Sequence, residues 1–376
     1  MKLYFVPLAA VLTLLGSVCA NVARAQEGPS EAASADADGQ KLLQTLSFVS
    51  RRNEQYYKIT TPRGIDEAQY VPIGGIDQFI SIRGEDRNNP VILFLHGGPG
   101  DATNPWGYLA FRSWLEYFTV VQWDQRGAGR TLHKSGPDIA PTITVERMTQ
   151  DGIELAEYLR KSLQKDKLIL VGHSWGSVLG LSIAKSRPDL FYAYVGTGQV
   201  ADETRNYTVA YADLLKKARA LRNQIALEEL RAIGPPPYSD FRGWSVQRKW
   251  SNLFEHADLF ICGVFGAALS APGYTLADIN DWIAGQDSSA QQLFPQTTKQ
   301  DSKALGGQFA LPVFVIQGAE DFTTPTSLAR TLVASIRAPH KEFVTIPDGG
   351  HFAVFMRSDE FLQELLSRVR PLATKH

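Results

Sequence analysis

The pentapeptide Gly172-His173-Ser174-Trp175-Gly176 is the strongest chemical signal in the sequence. A serine hydroxyl is a weak nucleophile until a base draws off its proton and a strained turn exposes it. Here the apolar run Leu168 to Val171 precedes the serine, and the helix-forming stretch Val178 to Lys185 follows it. That order supplies the strand, turn and helix that a G-x-S-x-G pattern requires. The candidate base is His351, which follows Gly349-Gly350 near the C-terminus. The candidate acid is Asp321, in the loop segment Gly318-Ala319-Glu320-Asp321, with Glu320 and Asp348 as rivals. In this arrangement His351 takes the proton from Ser174, while Asp321 fixes the imidazole tautomer and stabilises the imidazolium. The glycine-rich turn His96-Gly97-Gly98-Pro99-Gly100 follows a further apolar run and exposes backbone N–H groups suited to an oxyanion hole. The N–H of Trp175, next after the nucleophile, would be the second donor. A phosphate-binding turn is a poor alternative, because no Lys-Ser/Thr pair follows the glycines.

These groups need a scaffold, and the hydropathy pattern describes one. A hairpin is expected from Gln69 to Ile73 and Asp77 to Arg83, around the turn Gly74-Gly75. Continuous apolar runs then occur at Val91 to Leu95, Thr119 to Trp123, Leu168 to Val171 and Tyr192 to Gly196. Val145 to Leu163 has helical spacing at Met148, Ile153, Leu155, Leu159 and Leu163. Continuous apolar strands alternating with amphipathic helices predict a parallel sheet covered on both faces. The rhythm breaks over residues 201–308, where helical stretches (Tyr207 to Arg222, Ile225 to Ile233) and aromatic residues replace it. Strands resume at Val313 to Gln317 and Phe343 to Ile346, and a final helix runs through Phe361 to Val369. The fold class is therefore α/β: a mostly parallel sheet in two parts, 46–200 and 309–376, with a helical cap inserted after the sixth strand.

The blocks His96 to Gly100, Trp123-Asp124-Gln125-Arg126-Gly127-Ala128-Gly129-Arg130 and Gly172 to Ser177 together resemble the proline iminopeptidase family of α/β-hydrolases. Gly318 to Asp321 and Gly350-His351 complete a resemblance that runs from about Tyr70 to the C-terminus. It implies release of an N-terminal residue, often proline, from a peptide, with Ser174, Asp321 and His351 as triad. It further implies an oxyanion hole from the Gly98 and Trp175 amides, and a buried Asp124–Arg126 ion pair that shapes the loops. The resemblance thins in the cap. Members of the family recognise the substrate α-ammonium with cap glutamates, commonly in a Trp-Glu setting, whereas Ser245 follows Trp244 and Ser251 follows Trp250 here. Glu203 and Glu255 are the available carboxylates, and Trp250 is a candidate for an apolar substrate pocket. The cap aromatics are equally suited to packing the cap on the core. A carboxylesterase or amidase acting on a small apolar substrate is thus the alternative enzyme. A non-catalytic binding protein on this fold is the alternative of another class, disfavoured because every triad candidate is present.

Bulk properties narrow the partners. The 376 residues are 44% hydrophobic and 20% charged, with formal net charge −1. No basic stripe argues for nucleic acid, so a small molecule or short peptide is the expected substrate. His96 and His173 lack metal-ligand spacing with acidic or cysteine partners, so neither a metal nor a cofactor is expected. Lys2, the apolar stretch Leu3 to Val18 and Ala23-Arg24-Ala25 read as a cleavable signal peptide over 1–25, implying a periplasmic or secreted protein with no membrane anchor after cleavage. Residues 26–45, rich in Ala, Ser, Asp and Glu, are expected to be a flexible leader. Loss of Cys19 with the signal leaves Cys262, which its apolar surroundings predict to be buried.

Overall fold

In the computed structural model, which describes residues 29–238, 241–297 and 306–374, eight strands form one sheet. The signal segment and Cys19 lie outside the described residues. Strands β1 (Ile65–Ile73) and β2 (Ile76–Gly84) pair antiparallel around Gly74-Gly75, whose φ values are 58° and 79°. A two-residue turn with both central φ angles positive matches strand twist, and glycine adopts it without a Cβ penalty. Then come β3 (Val91–Leu95), β4 (Thr119–Trp123), β5 (Leu168–His173), β6 (Phe191–Thr197), β7 (Val313–Gly318) and β8 (Lys341–Ile346). The spatial order is β1-β2-β4-β3-β5-β6-β7-β8, with β3 to β8 parallel.

The inner parallel strands read as predominantly apolar runs because both faces are covered. Val91, Leu93 and Leu95 of β3 point into one buried cluster, together with Met148, Leu155 and Leu159 of α2 (Val145–Ser162) and Leu179 and Ile183 of α3 (Trp175–Ser186). Ile92 and Phe94 point into the opposite cluster, with Phe111, Trp114, Phe361 and Leu365. This alternation along a strand is the two-residue period of the pleat.

Helix α1 (Pro29–Tyr56) corrects the expectation of a flexible leader over residues 26–45, since the chain is helical from Pro29 onward. Its Ala, Leu, Gln and Lys residues are strong helix formers, which the leader's polarity obscured. Its C-terminal part is anchored: Ser50 donates to the Ala271 carbonyl at 2.7 Å, and Asn53 donates to Ser270 O at 2.9 Å. These carbonyls lie just past a cap helix and need donor partners of this kind.

The cap helices between β6 and β7 are α4 (Glu203–Ala220), α5 (Gln224–Ile233), α6 (Phe241–Phe254), α7 (Ala257–Leu269) and α8 (Leu276–Thr297). Asp202 caps α4 by accepting from Arg205 N, and Asn223 caps α5 by accepting from Ala226 N. Tyr211, Leu214, Leu230, Trp250 and Phe254 give the cap a core of its own. Trp282 of α8 instead packs beside Ala102 and Trp106 of the β3–β4 connection. Cys262, expected to be buried, is half-buried on α7, because that helix is apolar on most sides and only part of it faces the core.

Candidate active site

Ser174 sits where β5 turns into α3, at φ 53° and ψ −120°, a left-handed conformation costly for a residue with a side chain. The flanking glycines make the turn possible. A Cβ on Gly172 would stand 2.4 Å from Gly176 O, and one on Gly176 would stand 2.2 Å from Leu95 O. Backbone bonds hold the strained residue: Ser174 N donates to Thr197 O at 3.0 Å, and Ser177 N donates to Ser174 O at 2.8 Å. The Ser177 hydroxyl donates to the same carbonyl at 2.6 Å and accepts from Val200 N at 3.0 Å, tying the turn to the end of β6.

His351 Nε2 lies 2.9 Å from Ser174 Oγ, and His351 Nδ1 lies 3.1 Å from Asp321 Oδ2. Both ring and carboxylate are buried, at 1% and 3% exposure. Burial pushes the Asp321 carboxyl up, yet the facing His351 and bonds from Thr324 outweigh it and hold the group below its ordinary value. The other acids near this loop are engaged elsewhere or face solvent. Glu320 pairs with Lys217 at 2.8 Å, and Asp348 is exposed on its turn. The geometry is that of an imidazole able to take a hydroxyl proton while a carboxylate holds its other nitrogen.

Two further histidines brace the loops. His96 Nδ1 lies 2.8 Å from Gly97 O, and its Nε2 accepts from Gln125 N at 3.2 Å. This pair of contacts requires the neutral ring protonated at Nδ1, in keeping with burial, which pushes its pKa down to about 4. Burial, and then His351, push His173 down to about 3; its Nε2 lies 3.1 Å from His351 O.

Glu255, a candidate for substrate binding, faces the back of this arrangement instead. It sits just past α6, 7% exposed, and accepts from Phe322 N at 2.8 Å and from His351 N at 2.5 Å. One carboxyl group therefore clamps the two loops that carry Asp321 and His351. Burial, then the charge on Asp321, push its pKa up to about 8. A raised carboxyl pKa means that the folded chain holds this proton when the unfolded chain has lost it. Its contribution to stability is full below the unfolded value of 4.5 and is lost as pH rises through about 8. Glu255→Gln keeps the shape of this side chain but cannot titrate, so it is expected to remove most of this pH dependence. Melting temperatures across pH 5 to 8 check both points: the parent loses stability over this interval, and the glutamine variant loses less.

A cleft of about 360 Å³ opens above Ser174 and His351, with Gly98 and Trp175 in its wall. Gly97 packs against the serine turn, since a Cβ there would lie 3.2 Å from Ser174 Cβ. Trp250 is not in this wall. It is buried in the cap core and donates to Glu229 Oε2 at 2.8 Å, because it lies on the face of α6 turned away from the cleft. Glu203 opens α4, and its side chain lies outside the described residues. The cleft is lined instead by Asn206, Gln247, Arg248, Asp101, Gln286 and Asp287. The sequence held one usable signal for them: Trp244, Gln247, Arg248 and Ser251 fall on a single helical face. The expected Asp124–Arg126 pair is also corrected. Arg126 pairs with Asp151 at 2.7 Å, while Asp124 accepts from Asn104 and from Arg130 N. Among the described residues no three His, Cys, Asp or Glu side chains converge on a metal-sized point.

With this geometry in view, the relatives are informative. Residues 90–357 match the alpha/beta hydrolase fold family. The probable aminopeptidase YbaC of Bacillus subtilis is 30% identical over 285 residues, spanning 74% of this chain and 88% of that protein. The chain is a proline-iminopeptidase-like α/β-hydrolase. A proline iminopeptidase of Arabidopsis thaliana is 39% identical to this α/β-hydrolase over 106 residues, 28% of this chain and 25% of its own. Among solved structures, the proline iminopeptidase-related protein of Thermus thermophilus aligns with TM-score 0.55 at 19% identity, covering 82% of this chain and 99% of its own. A thermophilic esterase of Thermogutta terrifontis aligns at 0.51 and 19%, covering 82% and 100%. At such identities the structural likeness concerns the fold alone. Proteins that share this fold thus include both a probable aminopeptidase and an esterase.

Proposed function

We propose that this α/β-hydrolase is a serine aminopeptidase that releases N-terminal residues, proline among them, from short peptides. In this reaction Ser174 Oγ attacks the carbonyl of the first residue while His351 takes its proton. The Gly98 and Trp175 amides stabilise the resulting oxyanion. Collapse breaks the C–N bond, and His351 gives the proton to the departing amine, leaving an acyl-enzyme. Water, deprotonated by His351, then hydrolyses the ester and restores the serine. The export segment read from the sequence supports a periplasmic or secreted location for this activity.

The observation that carries the aminopeptidase reading is Asp101. It follows the glycine-rich loop beside Ser174, lines the cleft, and is fixed by Trp282 Nε1 at 3.2 Å and Gln286 Nε2 at 3.3 Å. Burial pushes its carboxyl up to about 6, and a substrate ammonium is the partner that would offset this desolvation. Asp287 adds a second carboxylate to the same wall. The similarity to a probable aminopeptidase over most of both chains supports the same reading.

The test is kcat/KM on proline p-nitroanilide against p-nitrophenyl butyrate. The anilide is expected to be preferred, and Asp101→Asn is expected to raise KM for the anilide about tenfold or more, with a smaller effect on the ester. Preference for the butyrate would make the protein an esterase with the same triad.

A further inference from the structure

The cleft that holds the carboxylates of Asp101 and Asp287 also holds a guanidinium. Arg248 lies on the cleft-facing side of α6 and donates to Thr323 Oγ1 at 3.0 Å. Thr323 is two residues past Asp321, so the loop carrying the triad acid also aims the arginine. Gln247 and Ser251 fix the same helical face, donating to Tyr207 O at 3.0 Å and Phe322 O at 3.3 Å. Among the described residues Arg248 has no carboxylate within ion-pair distance, although other buried arginines of this chain, such as Arg126, are paired. A half-buried guanidinium that feels Asp101 and Glu255 only beyond ion-pair distance is poised to accept an anion from a ligand.

The sheet order says which part of a ligand that is. β5, which delivers Ser174, lies between β3, which leads to Asp101, and β6 and β7, which lead to Thr323 and Arg248. The departing amine must lie near His351 Nε2 to receive its proton, and His351 follows β8, on the Arg248 side. The acyl residue, with its α-ammonium, then lies on the Asp101 side. We propose that Arg248 binds the C-terminal carboxylate of the leaving residue, which makes the preferred substrate a dipeptide with both termini free. This rests on the aminopeptidase reading above. In a dipeptide that carboxylate is separated from the scissile nitrogen by a single Cα. Each added residue carries it roughly 3.3 Å or more farther along an extended chain, out of reach of one side chain held by Thr323.

The experiment compares the full chain with Arg248→Met and Arg248→Lys on Pro-Ala, Pro-Ala amide, Pro-Ala-Ala and proline p-nitroanilide. In the parent, kcat/KM for Pro-Ala is expected to exceed that for its amide and for Pro-Ala-Ala by tenfold or more. Arg248→Met should erase that difference, chiefly through KM, and Arg248→Lys should keep part of it. Equal rates on Pro-Ala and its amide in the parent, with the anilide cleaved, would overturn the Arg248 assignment and leave the aminopeptidase reading standing. An Arg248→Met loss shared equally by all four substrates would overturn it too, as a structural effect. Failure to cleave any prolyl substrate while p-nitrophenyl butyrate is hydrolysed would overturn the aminopeptidase reading and this proposal together.

Discussion

Ser174→Ala is expected to lower kcat by about 10⁴-fold or more on any ester or amide substrate while leaving the fold intact. The hydroxyl has one hydrogen bond among the described residues, to His351 Nε2 at the cleft, so its removal takes a partner from that nitrogen alone and from no group that holds the turn. The groups that hold the turn are the backbone N–H and carbonyl of the same residue, and alanine keeps both. The left-handed φ of 53° costs alanine about what it costs serine, so the strain is carried over unchanged. Stability should therefore shift by no more than about 0.5 kcal/mol. Steady-state rates with a thermal melt on the same sample separate the two effects. A melt that matches the parent with a rate that also matches it would remove Ser174 from the chemistry. A collapsed rate with an intact melt leaves only what the oxyanion donors and substrate binding supply, typically about 10³ to 10⁴ over water.

What the sequence could announce depended on how local the physics was. Val91–Leu95 and Thr119–Trp123 are legible to the residue, because strands covered on both faces are predominantly apolar, with Gln122 a buried polar exception in β4. The start of β8 is not, because that strand lies at the sheet edge and begins with the polar pair Lys341-Glu342. Ser174, Asp321 and His351 could be picked from their order and their loops, since each follows an apolar run that becomes a strand. Glu255 could not be read this way. Its partners are backbone N–H groups 67 and 96 residues away, and a backbone donor leaves no trace in the sequence. The Asp124–Arg126 pairing failed as well. The family resemblance implied it, whereas in this chain Asp151 reaches Arg126 from α2. In the cap, residue type alone favoured Trp250, but helical phase decides. Trp250 and Phe254, four apart, form the buried side of α6, and Gln247, Arg248 and Ser251 form the side that meets the cleft.

Asp321→Asn is expected to lower kcat by about 10⁴-fold at neutral pH with little change in fold. The reason lies in how the four acceptor contacts of this carboxylate are shared. Oδ1 accepts from Thr323 N at 2.9 Å and Thr324 N at 2.7 Å, and both donors are fixed backbone groups. An asparagine must place its carbonyl oxygen there, which puts its NH₂ where Oδ2 stood, facing His351 Nδ1 and Thr324 Oγ1. The Thr324 hydroxyl can rotate and accept. His351 cannot adjust so cheaply: its Nδ1 would have to accept, which moves the ring proton to Nε2, the atom that takes the proton from Ser174 in the proposed reaction. Glu255 offers no rescue, although it is a second buried carboxyl group near this ring, because both of its oxygens are occupied by Phe322 N and His351 N. The distinguishing measurement is the rate of the Asp321→Asn variant against pH. A defect of tautomer recovers toward high pH as hydroxide replaces the missing base function, whereas a defect of folding does not. A rate within tenfold of the parent at neutral pH would mean that the carboxylate at 3.1 Å is a spectator, and that the imidazole is oriented by the backbone clamp of Glu255 alone.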